Sequence, residues 1–188
     1  TEEDETFDHY QRLGRLPLHT AHQMIDTDSQ IVQDTLQSIF KGSTDQLQAD
    51  QIILEIHNYL RQDSNFGYVR DQGDTWTSVS DALAQGFGDC EELANVGASL
   101  TIRALQDAGY EDEAKRISIA VGNVRSLGTV TGHAFLTYED QDGLVWALDS
   151  TDSRELIEFT RRQSADRLYD AYQSYYDFDR FLNGYCFF

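Results

Sequence analysis

The chain has 188 residues, of which 40% are hydrophobic and 12% aromatic, enough for one folded domain with a substantial core. A formal net charge of −19 argues against nucleic acid as a direct partner and against anionic membrane surfaces, because their phosphates would be repelled. No apolar run is long enough for a membrane span, and two cysteines, Cys90 and Cys186, do not make a disulfide scaffold.

The first residues, Thr1-Glu2-Glu3-Asp4-Glu5, are neither a secretory signal nor an initiator methionine. The expectation is a mature or trimmed form whose signal was removed, with a cytoplasmic location left open. Lysine occurs only at Lys41 and Lys115. Strong acidity with so little lysine suits salty or calcium-rich surroundings, and it equally suits simple solubility through self-repulsion.

Residues 1–28 read as an acidic arm, with the only proline at Pro17. His9, His19 and His22 lie in it but share no helical face, so a metal site there is not favoured. Ile31, Val32, Thr35, Leu36 and Ile39 recur at helical spacing, and Lys41-Gly42 supplies a stop. A second helix runs from Leu47 to Leu60, burying Ile52, Ile53, Ile56, Tyr59 and Leu60. Phe66–Arg70 is a short extended piece, 71–74 a turn, and Ser78–Gln85 a short helical stretch.

The next stretch, Gly86-Phe87-Gly88-Asp89-Cys90-Glu91-Glu92, opens the longest helical pattern, from about Cys90 to Ala108. Leu93, Val96, Gly97, Leu100, Ala104 and Ala108 form its apolar stripe. Asp89 is the N-cap candidate, and Glu91 and Glu92 fall in the first turn, where acids suit the dipole. A cysteine at a helix start is favoured as thiolate, the form that acts as nucleophile. The plainer reading of Cys90 is a small buried apolar residue, so the catalytic reading needs support from elsewhere in the chain.

That support comes after Lys115, where the pattern turns to strands. Ile117–Val121 alternates. His133–Tyr138 and Leu144–Asp149 read as a hairpin joined by the five residues Glu139–Gly143. If Tyr138 pairs with Leu144, His133 falls directly opposite Asp149, on the same face. Asp152 is the reserve acid should the register slip. An aspartate that holds a histidine can orient a general base. Cys90, His133 and Asp149 then make the constellation of a thiol acyl-transfer enzyme, with the Cys90 N–H available to an oxyanion. The tail from 155 reads as helical and then aromatic-rich, more suited to packing than to binding.

These residues resemble the bacterial transglutaminase-like cysteine proteinases, within the transglutaminase-like superfamily, which has the papain-like order Cys, His, Asp. The resemblance rests on Asp74-x-Trp76, Ser80–Leu83, Gly86-x-Gly88-Asp89-Cys90-Glu91-Glu92, Gly132–Leu136 and Trp146–Asp149, with weaker matches at Asn58–Leu60 and Phe66-x-Tyr68. It covers roughly residues 50 to 152. It implies an α+β papain-like core, with the nucleophile helix packed on an antiparallel sheet, hydrolysis of peptide bonds in a protein substrate, and a periplasmic or extracellular location. Asp89, Glu91 and Glu92 stand where the family supplies carboxylates to Ca²⁺, a hard cation that would relieve their mutual repulsion. Glu92 replaces the family's aspartate, and Ser150 stands where asparagine is frequent. A transglutaminase, with an amine in place of water, and a non-catalytic binding module of the same fold are the alternatives. A Cys90–Cys186 disulfide would favour the last.

Overall fold

The computed structural model describes residues 24–70, 77–126, 129–143, 145–151, 160–162 and 180–181. Two helices open it: α1 (Gln30–Phe40) and α2 (Ala49–Leu60). Helix α1 ends because Lys41 takes the left-handed conformation (φ 50°), so its N–H reaches back to the Gln37 carbonyl. Helix α2 starts two residues later than its apolar pattern, where Gln48 and Gln51 form a reciprocal cap.

A pair of two-residue strands, β1 (Gly67–Tyr68) and β2 (Phe87–Gly88), follows in parallel, with α3 (Val79–Gln85) between them. Ser78 caps α3, and Gly86 ends it at φ 78°. Asp26, at the end of the expected arm, accepts the Ser80 hydroxyl at 3.0 Å and the Ser29 N–H at 3.0 Å, tying this segment to α3.

The central element is α4 (Cys90–Asp107). Its sequence suggests one apolar stripe, but the helix is buried on every side from Cys90 to Thr101. It packs against α1, α2 and α3 as well as the sheet, so no face is left for water. Gly97 makes that closeness possible: a Cβ there would stand 3.4 Å from Leu60 Cδ1 and 3.7 Å from Leu136 Cδ2. The short helix α5 (Glu111–Ala114) leads into the sheet.

That sheet has five antiparallel strands in the order β6-β5-β4-β3-β7. They are β3 (Ile117–Ser126), β4 (Thr129–Glu139), β5 (Val145–Leu148), β6 (Thr160–Arg162) and β7 (Arg180–Phe181). Alternation along β4 sends Ala134, Leu136 and Tyr138 into the main core, while His133, Phe135 and Thr137 are buried on the opposite face.

The expected helical start of the tail is corrected here. Thr160–Arg162 is a strand on β5, and Arg180–Phe181 is a strand on β3. Both β5 and β3 would otherwise present open edges of unpaired backbone groups, and pairing outweighs local helical preference. The rest of the tail, with Asp152 and Cys186, lies outside the described residues, as do His9, His19, His22 and Trp76.

Candidate active site

The start of α4 is built by a chain of local necessities. Gly67 N–H bonds to the Gly86 carbonyl (2.9 Å) and Val69 N–H to the Gly88 carbonyl (2.8 Å), which fixes the approach of the chain. Asp89 then caps α4, its Oδ1 accepting the Glu91 N–H at 3.2 Å. Glu92 completes a capping box: its Oε2 accepts the Asp89 N–H at 3.1 Å, and its Oε1 accepts the Thr77 N–H at 2.7 Å. Only glycine fits at position 88, because a Cβ there would lie 2.4 Å from Glu92 Cβ. The run Gly-Asp-Cys-Glu-Glu is thus one structural device, and it presents Cys90 as the first helical residue.

Cys90 is a free thiol, 6% exposed. It donates to Glu91 Oε2 at 3.0 Å, and the backbone N–H of Ala134 donates to its sulfur. Burial first, then the Glu91 carboxylate, pushes the thiol well above its ordinary range, and the Ala134 N–H only partly offsets this. Burial, with the Glu91 and Asp89 carboxylates behind it, works against the thiolate that a helix start favours. Oxygens of Asp89 and Glu91 and the Cys90 sulfur all lie within 4.8 Å of one another, and all three residues are buried. Glu92 is not in that group. Burial, with Asp89 second, pushes Glu92 up to about 7.

His133 and Asp149 form the second half of the site. The Nε2 of His133 lies 2.6 Å from Asp149 Oδ2, and the two residues are 9% and 1% exposed. The register expected for the hairpin is corrected, although the contact is found. Tyr138 pairs with Trp146, not Leu144, and the ladder runs from Glu139↔Val145 to Leu136↔Leu148. The cause is Asp140, which accepts the Trp146 indole N–H (3.0 Å), the Asp142 N–H (2.9 Å) and, at its carbonyl, the Gly143 N–H (3.0 Å). With Gly143 at φ 76°, the turn begins one residue later than the alternation suggests. A shift of two residues keeps the facing, so Asp149 stands level with Phe135 and reaches His133 diagonally. The His133 ring also stacks on Phe135, with centroids 5.8 Å apart. Cys90 and His133 are linked through one residue of β4 backbone, since Ala134 N–H touches the thiol.

Three further residues shape the site; of these the sequence points only to Tyr68, and then as a weak family match. Thr151 donates both its N–H (3.0 Å) and its hydroxyl (2.7 Å) to Asp149 Oδ1, so both carboxylate oxygens are engaged. The Asp-x-Thr spacing of an Asx turn was the available signal. Tyr68, on β1, lies near Asp89, Glu91 and the sulfur of Cys90, which would oppose its ionisation if it were itself ionised. Burial first, and then these, push its hydroxyl up to about 12. His57, buried on α2, shares a 3.2 Å hydrogen bond with Ser150 through Nδ1, and no periodicity signals that contact.

No family model matches the chain, and no curated protein matches it. Among solved structures, calcium-bound LapG of Legionella pneumophila aligns with a TM-score of 0.50 at 18% identity, covering 80% of this chain and 77% of that one. EGTA-treated LapG gives 0.50 at 16% identity, covering 82% and 78%. A further LapG structure gives 0.48 at 17%, covering 74% and 76%. The likeness is one of fold: this chain has the α+β, papain-like core of LapG, with the cysteine helix laid on an antiparallel sheet. No helix among the described residues is long and apolar enough to cross a membrane.

Proposed function

We propose that this chain is a cysteine endopeptidase that hydrolyses peptide bonds of a protein substrate, with Cys90 as nucleophile, His133 as general base and Asp149 as the group that orients it. The reading rests on one observation above all. A histidine held by a buried aspartate at 2.6 Å sits one residue from the backbone N–H that contacts a helix-start thiol. Because Asp149 takes Nε2, the base acts through Nδ1. His133 removes the Cys90 proton as the sulfur attacks the carbonyl carbon. The oxyanion is received by the Cys90 N–H at the start of α4. The imidazolium then protonates the leaving amine, and the thioester remains. Water attacks the thioester, His133 takes its proton, and the acid product leaves with the thiol restored.

The Cys90 thiol donates its hydrogen bond to Glu91 Oε2 at 3.0 Å. Asp89 and Glu91 offer two buried carboxylates beside the sulfur, a donor set that fits Ca²⁺. Glu92, whose two oxygens already accept backbone N–H groups, serves the cap more than the ion. A hard cation held there would neutralise the charge that now opposes the thiolate. Two carboxylates alone make a weak calcium site, of the kind filled at the concentrations found outside the cytosol, which fits a periplasmic or secreted protein.

The test is a peptide library incubated with the full chain, with calcium and a fluorescent primary amine present, and read by mass spectrometry. New peptide termini that vanish with Cys90→Ala support the reading. Amine incorporation without new termini would make the protein a transglutaminase. Neither product, in wild type, would leave a binding module of this fold.

A further inference from the structure

His57 is a buried, neutral histidine that the proposed chemistry does not use. It lies on α2, 4% exposed, among Ile53, Ile56 and Leu60, a position where an aliphatic residue would pack at less cost. Its Nδ1 is 3.2 Å from the hydroxyl of Ser150. Ser150 sits between Asp149, whose Oδ2 receives His133, and Thr151, whose N–H and hydroxyl hold Oδ1 of Asp149. Asp149 lies just beyond the last paired residue of β5, so the ladder no longer fixes it. The turn is instead pinned at three points: Leu148 in the core, Thr151 on the carboxylate, and Ser150 on α2. The last ties the turn to α2 by a hydrogen bond.

We infer that His57 is a positioning residue which, through Ser150, sets the orientation of Asp149 and thereby keeps the His133 proton on Nε2. The inference rests on the triad reading above for its consequence in turnover, but its structural content does not depend on turnover. The charged groups that face His57 are Arg61, one turn along α2, and Asp149. Burial and Arg61 keep His57 uncharged at neutral pH, so it anchors by hydrogen bonding and not by charge.

The experiment uses the full chain labelled with ¹⁵N-histidine, and reads the His133 ring nitrogens at neutral pH alongside kcat and KM. Ser150→Ala and His57→Leu are each expected to mix the two His133 tautomers and to lower kcat by about tenfold, with KM unchanged. Their combination should cost no more than either alone. His57→Asn, which keeps an amide near the Nδ1 position, should restore most of both readouts, which a purely packing role would not allow. A His133 ring spectrum in Ser150→Ala identical to wild type would overturn the inference, as would losses that multiply in the double variant. Should His57→Leu fail to fold, Ser150→Ala decides alone. Wild-type turnover that survives Cys90→Ala would remove the triad reading, and the ring spectrum would still decide the positioning.

Discussion

Two buried acidic groups adjoin in this site, and their surroundings differ. At the turn after β5, Asp149 is surrounded by donors: His133 on one oxygen and Thr151 twice on the other. At the start of α4, Asp89, Glu91 and Glu92 crowd into one helical turn, with a thiol as one of the donors. A carboxylate that accepts several hydrogen bonds is held still. Burial, and then carboxylates set side by side, raise the proton affinity of Glu92 and of Cys90. The first corner is thus built to stay as it is. The second sets three acids and a thiol within one helical turn.

The strongest way to break the comparison is at the satisfied corner. Asp149→Asn keeps the shape but reverses the hydrogen bonding, stabilising the wrong His133 tautomer, and peptidase kcat should fall by roughly 10³–10⁴. An activity near wild type would mean that Asp149 is only structural.

The next effect is on stability and concerns His57, pulled down to about 4 first by burial and then by Arg61, with Asp149 opposing. Above pH 6.5 it is neutral both folded and unfolded, so its contribution is complete. As pH falls through 6.5 the unfolded chain takes up a proton that the folded chain refuses until about pH 4. Stability should therefore drop across that window by roughly 3 kcal/mol from this group. Urea unfolding of wild type and His57→Asn at several pH values reads it, because the variant should lack that part of the slope.

At the crowded corner, Gly88→Ala places a methyl 2.4 Å from Glu92 Cβ, and the capping box must open. A loss of about 1–3 kcal/mol in denaturant unfolding is expected. The smallest effect belongs to Thr151→Val, which removes the hydroxyl donor to Asp149 and should cost about 1 kcal/mol. It should cost much less turnover than Asp149→Asn.

The α4 start was legible because its signals are local: a glycine, a capping acid, acids in the first turn and a helical period all fall within a few residues. The direction of the Cys90 shift was not legible, because it depends first on how deeply the thiol is buried and then on where the Glu91 carboxylate turns, and sequence specifies neither. The His133–Asp149 pairing was found through a register two residues off, and the even shift preserved the face. Asp140 set the true register by binding Trp146 and Gly143, a competition that alternation cannot reveal. His57 and Ser150 meet across 93 positions, and β1 and β2 are too short to carry a pattern, so neither contact has a sequence signature.

The central claim is that the acids at the α4 start hold the Cys90 proton until a cation relieves them. The rate of Cys90 alkylation by iodoacetamide against pH, read by mass spectrometry in calcium and in EGTA, tests it most directly. In EGTA, labelling should rise only above the ordinary thiol value of about 8.5. Calcium should move the onset down by more than about one pH unit, a tenfold change in thiolate at a given pH, and His133→Ala should remove the fast labelling. Identical profiles with and without calcium, or fast labelling below pH 8 in EGTA, would contradict the account.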